Sequence, residues 1–434
     1  MFQRVAQAIE DTSRHNVLGR VRQIVGIVLE SNGPQSRLGD VCLIETDQGA
    51  KKVRAEVVGF KGSSVMLMPL GDMTGVKSGS LVEATGECLR VPTGKSLLGR
   101  TLNGLGEPID DNGALLNEST YPVLAPPPNA LRRTMIQDPF VTGVRAIDGV
   151  LTMGVGQRIG VFAGSGVGKS TLLGMIARNG CADVNVIALV GERGREVREF
   201  LENDLGEQGL KKSVVVCATS DEPALVRIKA ALTATAIAES FRDQGLNVML
   251  MMDSVTRFAM AQREVGLAVG EPPSSRGYTP SVFALLPKLM ERAGCGPKGA
   301  ITAVYSILVD GDDTNEPIAD ACRSILDGHI VLSRKLTERG HYPPIDVLQS
   351  ISRVMPMVTD QDHVKKANDL RGMVAAYYDV EDLVSVGAYK PGSQPRSDRA
   401  IDRWDQINAF LRQDKSDATD ITDTMTVLTR LADA

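Results

Sequence analysis

The segment Arg158-Ile-Gly-Val-Phe-Ala-Gly-Ser-Gly-Val-Gly-Lys-Ser-Thr171 holds the residue types that grip a polyphosphate. An apolar run breaks into spaced glycines, then a lysine and two hydroxyls, then the helix-like Thr171-Leu-Leu-Gly-Met-Ile-Ala177. Lacking side chains, Gly164, Gly166 and Gly168 let the loop curl through positive φ, so that the main-chain N–H groups from Gly164 through Ser165, Gly166, Val167 and Gly168 turn inward onto an anion. The N-terminus of the next helix, at Ser170 and Thr171, adds its dipole and unpaired donors. In this G-x-x-x-x-G-K-[ST] pattern Lys169 reaches the outer phosphates and the Ser170 hydroxyl ligates Mg²⁺. The chain departs from the pattern at its first position, where Ala163 replaces glycine. So small a side chain predicts only a local adjustment.

Three further positions extend binding to bond cleavage. Gly245-Leu-Asn-Val-Met-Leu-Met-Met-Asp253 is an apolar strand ending in a carboxylate, where an outer-sphere Mg²⁺ ligand belongs in a phosphate-loop fold. The alternative for Asp253 is the N-cap of a following helix. Glu192 comes directly after the apolar run Val184 to Val190, where a carboxylate would polarise the attacking water. A solvent-facing loop glutamate is the other reading, and position alone does not separate the two. Arg353, in Ser350-Ile-Ser-Arg-Val354, would bring positive charge to a transition state, although spacing alone favours a structural salt bridge.

The elements that must position these residues follow from the pattern of apolar runs. Strands are predicted at Ile159 to Ala163, Val184 to Val190, Val214 to Ala218, Val248 to Met252, Ile301 to Leu308 and His329 to Ser333. Their near-continuous apolarity fits a parallel sheet covered on both faces, the α/β core of residues 88–357. Ahead of it, residues 18–87 alternate short β-rich runs (Val21 to Val28, Val41 to Ile44, Ser64 to Met68) with glycine turns, the pattern of a small β-barrel. Residues 1–17 start with Phe2, Val5, Ala6 and Ile9 at helical spacing, an amphipathic segment that either docks a partner or caps its own domain. Residues 358–434 read as helical, most clearly at Ala367 to Tyr378 and Arg399 to Arg412. Ala125-Pro-Pro-Pro-Asn129 is a rigid surface connection.

Composition narrows the classes. A chain of 434 residues with net charge −5 has no broad basic surface for nucleic acid, and no apolar run approaches the ~20 residues of a membrane-spanning helix. A cytoplasmic protein is expected. Six cysteines without C-x-x-C spacing read as buried, reduced thiols and not as a zinc site.

At these residues the chain resembles the catalytic subunits of the rotary ATPases and, within them, the flagellar and type III protein-export ATPases. The resemblance rests on Pro343-Pro-Ile-Asp-Val-Leu-Gln-Ser-Ile-Ser352, Gly191-Glu-Arg-Gly-Arg-Glu-Val197, Asp253-Ser-Val-Thr-Arg-Phe258, Asp327-Gly-His-Ile-Val-Leu-Ser-Arg334 and the segment from Leu98 to Asp110. It implies a RecA-like core that hydrolyses ATP with Mg²⁺. It further implies that Glu192 is the base, that Arg193 and Arg257 line the phosphate pocket, that Arg353 reaches into a neighbour's site, and that Tyr342 and Tyr389 sandwich the adenine. Because one chain carries both loop and finger, identical copies set head to tail would close as a ring, six in the family. The likeness also implies a stator-like regulatory protein at the N-terminus, a central stalk, and export chaperones and substrates at the C-terminal helices. Peripheral association with an export gate at the cytoplasmic face of the inner membrane completes that picture. Ala163-Gly-Ser-Gly-Val167 leans towards the flagellar group; an injectisome ATPase and an F/V-type synthase subunit are the alternatives. An RNA translocase is opposed by net acidity, and a non-catalytic nucleotide-binding subunit by the intact Lys169, Ser170, Glu192 and Asp253.

Overall fold

Alternating inward apolar residues and glycine turns close the first part of the chain on itself. The computed structural model describes residues 17–47, 52–116, 119–309 and 316–433; the amphipathic segment expected near the N-terminus lies almost wholly outside them. Strands β1 (Gly19–Val25), β2 (Val28–Asn32), β3 (Asp40–Glu45), β4 (Lys52–Lys61), β5 (Ser64–Pro69) and β6 (Leu81–Cys88) pair in the order β1-β2-β5-β4-β3-β6 as a closed barrel. Closure leaves no unpaired sheet edge. Val21, Leu29, Ile44, Ala55, Leu67 and Val82 fill its interior. The stretch Val21 to Val28, expected as one β-rich run, is a hairpin that turns at Gly26 (φ 60°) with Val25 paired to Val28. A buried ion pair, Lys229 Nζ to Glu56 Oε1 at 2.7 Å, fastens the barrel to the next domain.

The central sheet contains β7 (Thr101–Asn103), β8 (Arg158–Ala163), β9 (Val184–Val190), β10 (Ser213–Ala218), β11 (Asn247–Asp253), β12 (Ala300–Leu308), β13 (Gly328–Leu332) and β14 (Ile345–Ser352). Its order is β14-β13-β8-β12-β11-β9-β10-β7, with Gly294–Cys295 added on β12. All seven residues of β9 are buried, as a strand covered on both faces requires. The sheet is not wholly parallel, however. Strand β14 runs antiparallel to β13, and Gly294–Cys295 antiparallel to β12. An antiparallel neighbour needs no crossover helix, and β14, at the edge of the sheet, shows the mixed burial of a strand with one side towards solvent.

Helix α1 (Lys169–Asn179) packs on one face, where Leu172 and Ile176 share a core with Ala367, Leu370, Phe410 and Leu428 of the C-terminal helices. The other face is covered by α2 (Ala224–Asp243) and α3 (Val255–Ala268). Helix α4 (Pro317–Ile325) carries the chain from the end of β12 back to the start of β13. Helices α5 (Gln361–Tyr378), α6 (Pro395–Leu411) and α7 (Ile421–Asp433) complete the described chain. No described helix is long and apolar enough to cross a membrane. Five of the six free cysteines are buried or half-buried, but Cys181, in the loop just past α1, is exposed and departs from the expectation.

Candidate active site

The glycine loop leaves β8 at Ala163 and enters α1 at Lys169. Gly166 (φ 76°) and Gly168 (φ 93°) take the left-handed turn, whereas Gly164, expected to share it, does not. Leu172 N is the first amide of α1 to reach back, to Gly168 O at 3.1 Å. The amides of Lys169, Ser170 and Thr171 therefore face forward without an intrahelical acceptor, which is the donor set an anion needs. The Thr171 hydroxyl itself is turned aside to Asp204.

Parallel pairing brings the loop and the two carboxylates together. Leu189 of β9 lies beside Asp253 of β11, and Glu192 follows β9 by two residues. The Lys169 ammonium donates to Asp253 and lies 3.7 Å from Glu192 Oε1, with all three side chains largely buried. Asp253 also accepts from Ser306 Oγ at 2.8 Å. Ser306 went unnoticed in the sequence; its signal was a serine inside the apolar run of β12. The N-cap alternative for Asp253 is excluded, because Ser254 caps α3 by accepting from Arg257 N. Burial first, then the neighbouring Asp253 charge, pushes the Glu192 carboxyl up to about 7, with Lys169 opposing. A carboxyl poised there is suited to proton transfer near neutral pH.

The other expected residues are less uniformly placed. A Cβ on Gly191 would lie 3.0 Å from Arg257 Cβ, so the stem of Arg257 lies against the backbone that leads into Glu192. Its Nε is buried and has no acceptor among the described residues. Arg193 is not brought to the cluster: its side chain is 78% exposed and pairs with Glu196 one helical turn on. Pro344 borders the loop, since a Cβ at Gly168 would lie 3.9 Å from its Cδ, which puts Tyr342 in the neighbourhood. Tyr389 is elsewhere. Its hydroxyl donates to Asp398 at the start of α6, while Tyr342 O accepts from Gln413 N just past the other end. At 1.5 Å per residue those ends are about 20 Å apart, so the two tyrosines do not enclose one ring within a chain.

Arg353 follows β14, where Ser352 pairs with Gly328 at the start of β13, and its amide donates to Asp327 O. That is the level of Arg158, the first residue of β8, about 15 Å along the strands from the loop. It forms no salt bridge among the described residues; the guanidinium donates to Leu326 O at 3.3 Å and Arg323 O at 3.4 Å. A cavity of about 440 Å³ touches the loop's root from the β13 side through Phe162, Ala163 and Gly164, but none of Lys169, Glu192 and Asp253 lines it.

For Mg²⁺ the available donors are the hard oxygens of Ser170 and Asp253, which fit that ion, and the orphaned Nε of Arg257 is a buried donor suited to an anionic oxygen.

Comparison with known proteins gives the family of each part of the chain. Residues 143–352 match the nucleotide-binding domain of the ATP synthase alpha/beta family and residues 21–86 its beta-barrel domain, while residues 359–430 match the T3SS EscN ATPase C-terminal domain. The chain is 54% identical over 432 residues to the flagellum-specific ATP synthase of Bacillus subtilis, covering 99% of this chain and 98% of that protein. It is 52% identical over 415 residues to the type 3 secretion system ATPase of Xanthomonas euvesicatoria, covering 96% and 94%. The assembled ATPase EscN of the enteropathogenic E. coli type III secretion system superposes with a TM-score of 0.89 at 46% identity, over 95% of this chain and all of that one.

Proposed function

The chain belongs to the ATP synthase alpha/beta family, among its flagellar and type III secretion ATPases, and from that premise we propose that it is the Mg·ATP-hydrolysing motor of a flagellar protein-export apparatus. The observation that carries the reading is Lys169 between Glu192 and Asp253, beside the forward-facing amides at the start of α1. The loop and Lys169 hold the phosphates, Ser170 and Asp253 hold Mg²⁺, and Tyr342 offers a face to the base. Bound Mg²⁺ neutralises charge on the phosphate oxygens. Glu192 takes the proton of the water that attacks the γ-phosphorus, the bond to the β-bridging oxygen breaks, and ADP and inorganic phosphate leave.

Arg353 lies at the wrong end of the sheet to serve its own loop, and this favours a finger offered to the next copy in a ring. EscN has also been seen in complex with its central stalk EscO; a comparable stalk, a stator-like regulator, and export chaperones with their substrates are the partners proposed for this chain, at the cytoplasmic face of an export gate. The similarity to the Xanthomonas protein and to EscN supports an injectisome role as the second reading.

Mixed assemblies test the site. Lys169→Ala chains are expected to lose tight ATP binding, and Arg353→Ala chains to lose turnover by about 10³ to 10⁵. Mixing the two should restore phosphate release, since each supplies what the other lacks. No recovery at any mixing ratio would refute the shared site.

A further inference from the structure

Arg353 sits on the C-terminal carbonyls of α4, which is where a helix dipole favours a cation. Helix α4 is also the crossover that returns from the loop end of the sheet, and the chain leaves that end at Val309, whose amide donates to Ala163 O at 3.0 Å. The helix that seats the finger is thus the crossover from the strand whose end lies beside the subunit's own phosphate loop, residues 310–315 between them lying outside the described ones.

A second contact ties the same two places. Phe162 is the residue before Ala163, yet its ring lies back along β8 over Gly160, where a Cβ would come within 2.6 Å of its Cε2. Only glycine there lets the ring lie so low. In that position it carries the Arg323 guanidinium over its face, 5.0 Å from the centroid, and meets His329 edge-on at 5.8 Å. Burial and the nearby charge of Arg323 hold the His329 imidazole below its ordinary pKa, with Arg353 adding to the effect, so a neutral ring completes the nest. Arg323 is in the last turn of α4, and its own carbonyl is one of the two that hold Arg353.

We propose that Arg323 is a positioning residue for Arg353: seated on Phe162, it registers the end of α4, and with it the guanidinium offered to the next subunit, against the strand that carries this subunit's own phosphate loop. The inference rests on the reading of Arg353 as an inter-subunit finger. Under it, a shift at the root of one loop is felt as a displaced finger in the adjoining site.

The test uses the assembled full chain. Arg323→Gln is expected to lower kcat by about ten- to a hundredfold, the scale of an ångström-sized misplacement, with KM for ATP within about twofold of the unaltered chain. Arg323→Lys, which keeps a cation over the ring, restores most of the rate, whereas Phe162→Leu reproduces the loss with Arg323 intact. Adding Arg323→Gln to Arg353→Ala lowers the rate no further. Mixed with Lys169→Ala chains, Arg323→Gln chains recover turnover, because their partners supply a correctly seated finger to an undamaged loop. If Arg353→Ala is rescued by mixing and Arg323→Gln is not, or if the two losses add, Arg323 acts on its own site or on folding, and the inference falls while the finger stands. If Arg353→Ala is not rescued, the finger reading falls and takes this inference with it. Should Arg323→Gln fail to assemble, Phe162→Leu is put through the same mixing and additivity measurements with the same deciding outcomes.

Discussion

Two buried clusters of charge in the central domain are built on opposite plans. Near the barrel, Arg292 meets Glu239 as a fork, at 3.0 and 2.5 Å, and gives a further N–H to Val123 O at 2.8 Å. Both side chains are at most 3% exposed, and each charge has its opposite. At the glycine loop one ammonium, Lys169, faces two carboxylates, and Arg257 beside them keeps a buried Nε without an acceptor among the described residues. The first cluster is electrically finished and the second is not. Burial alone therefore does not mark a site; what marks it is charge that the chain leaves unmatched, at the cost of a carboxyl driven up to about 7.

Within these two clusters, replacing the unmatched carboxylate should have the largest consequence, and it is kinetic. Glu192→Gln is expected to lower ATP turnover by about 10² to 10⁴ while ATP binding stays within a few-fold, read by phosphate release and by titration with a fluorescent analogue. Turnover above a tenth of the original would remove the distinction between the clusters. In the matched cluster the consequence should be structural. Arg292→Ala leaves the Glu239 carboxylate buried without its cation and is expected to cost about 3–5 kcal/mol in urea unfolding, with turnover per folded molecule unchanged. Arg292→Met with Glu239→Leu removes both charges and should recover most of that loss.

The contrast also shows what could be read from the chain before it folded. Lys169, Ser170 and Asp253 were legible because each stands at a fixed offset from an apolar run, and parallel pairing then has to bring strand ends together, whereas for Glu192 the offset left two readings open and the family resemblance chose between them. Three things depended on distant parts of the chain and were not legible. The direction of β14 follows from the chain's return from β13 through residues 333–344 without a crossover, which no local periodicity encodes. The separation of Tyr342 from Tyr389 follows from the length of α6 lying between their partners. Arg193 shares the Gly191 to Val197 motif with Glu192, but one residue further on it is already the N-cap of an exposed helical turn. The hairpin at Gly26 was hidden differently: a glycine inside an apolar run reads equally as a bulge or as a turn.

The smallest expected effect tests the same imbalance without catalysis. Glu192 has an ordinary value of 4.5 and is pushed up to about 7 in the folded chain. Between those two pH values the native state keeps a proton that the unfolded chain has released, so this group lowers stability as pH rises through the window and reaches its full penalty above about 7. Glutamine is neutral throughout. Glu192→Gln should therefore raise stability by on the order of 1–3 kcal/mol at pH 8 and by only about a quarter of that at pH 5, measured by thermal unfolding of the nucleotide-free protein. In the original chain kcat/KM should rise with pH through the same region, because the base acts only when deprotonated. Glu239→Gln, made in the matched cluster, should instead lose stability, since it strips Arg292 of its counter-charge. A substitution of one carboxylate that stabilises and the same substitution of the other that destabilises would be the thermodynamic form of the difference between a site and a strut; the same sign at both would mean that the loop cluster is as balanced as the other, and that Glu192 is held there for structure.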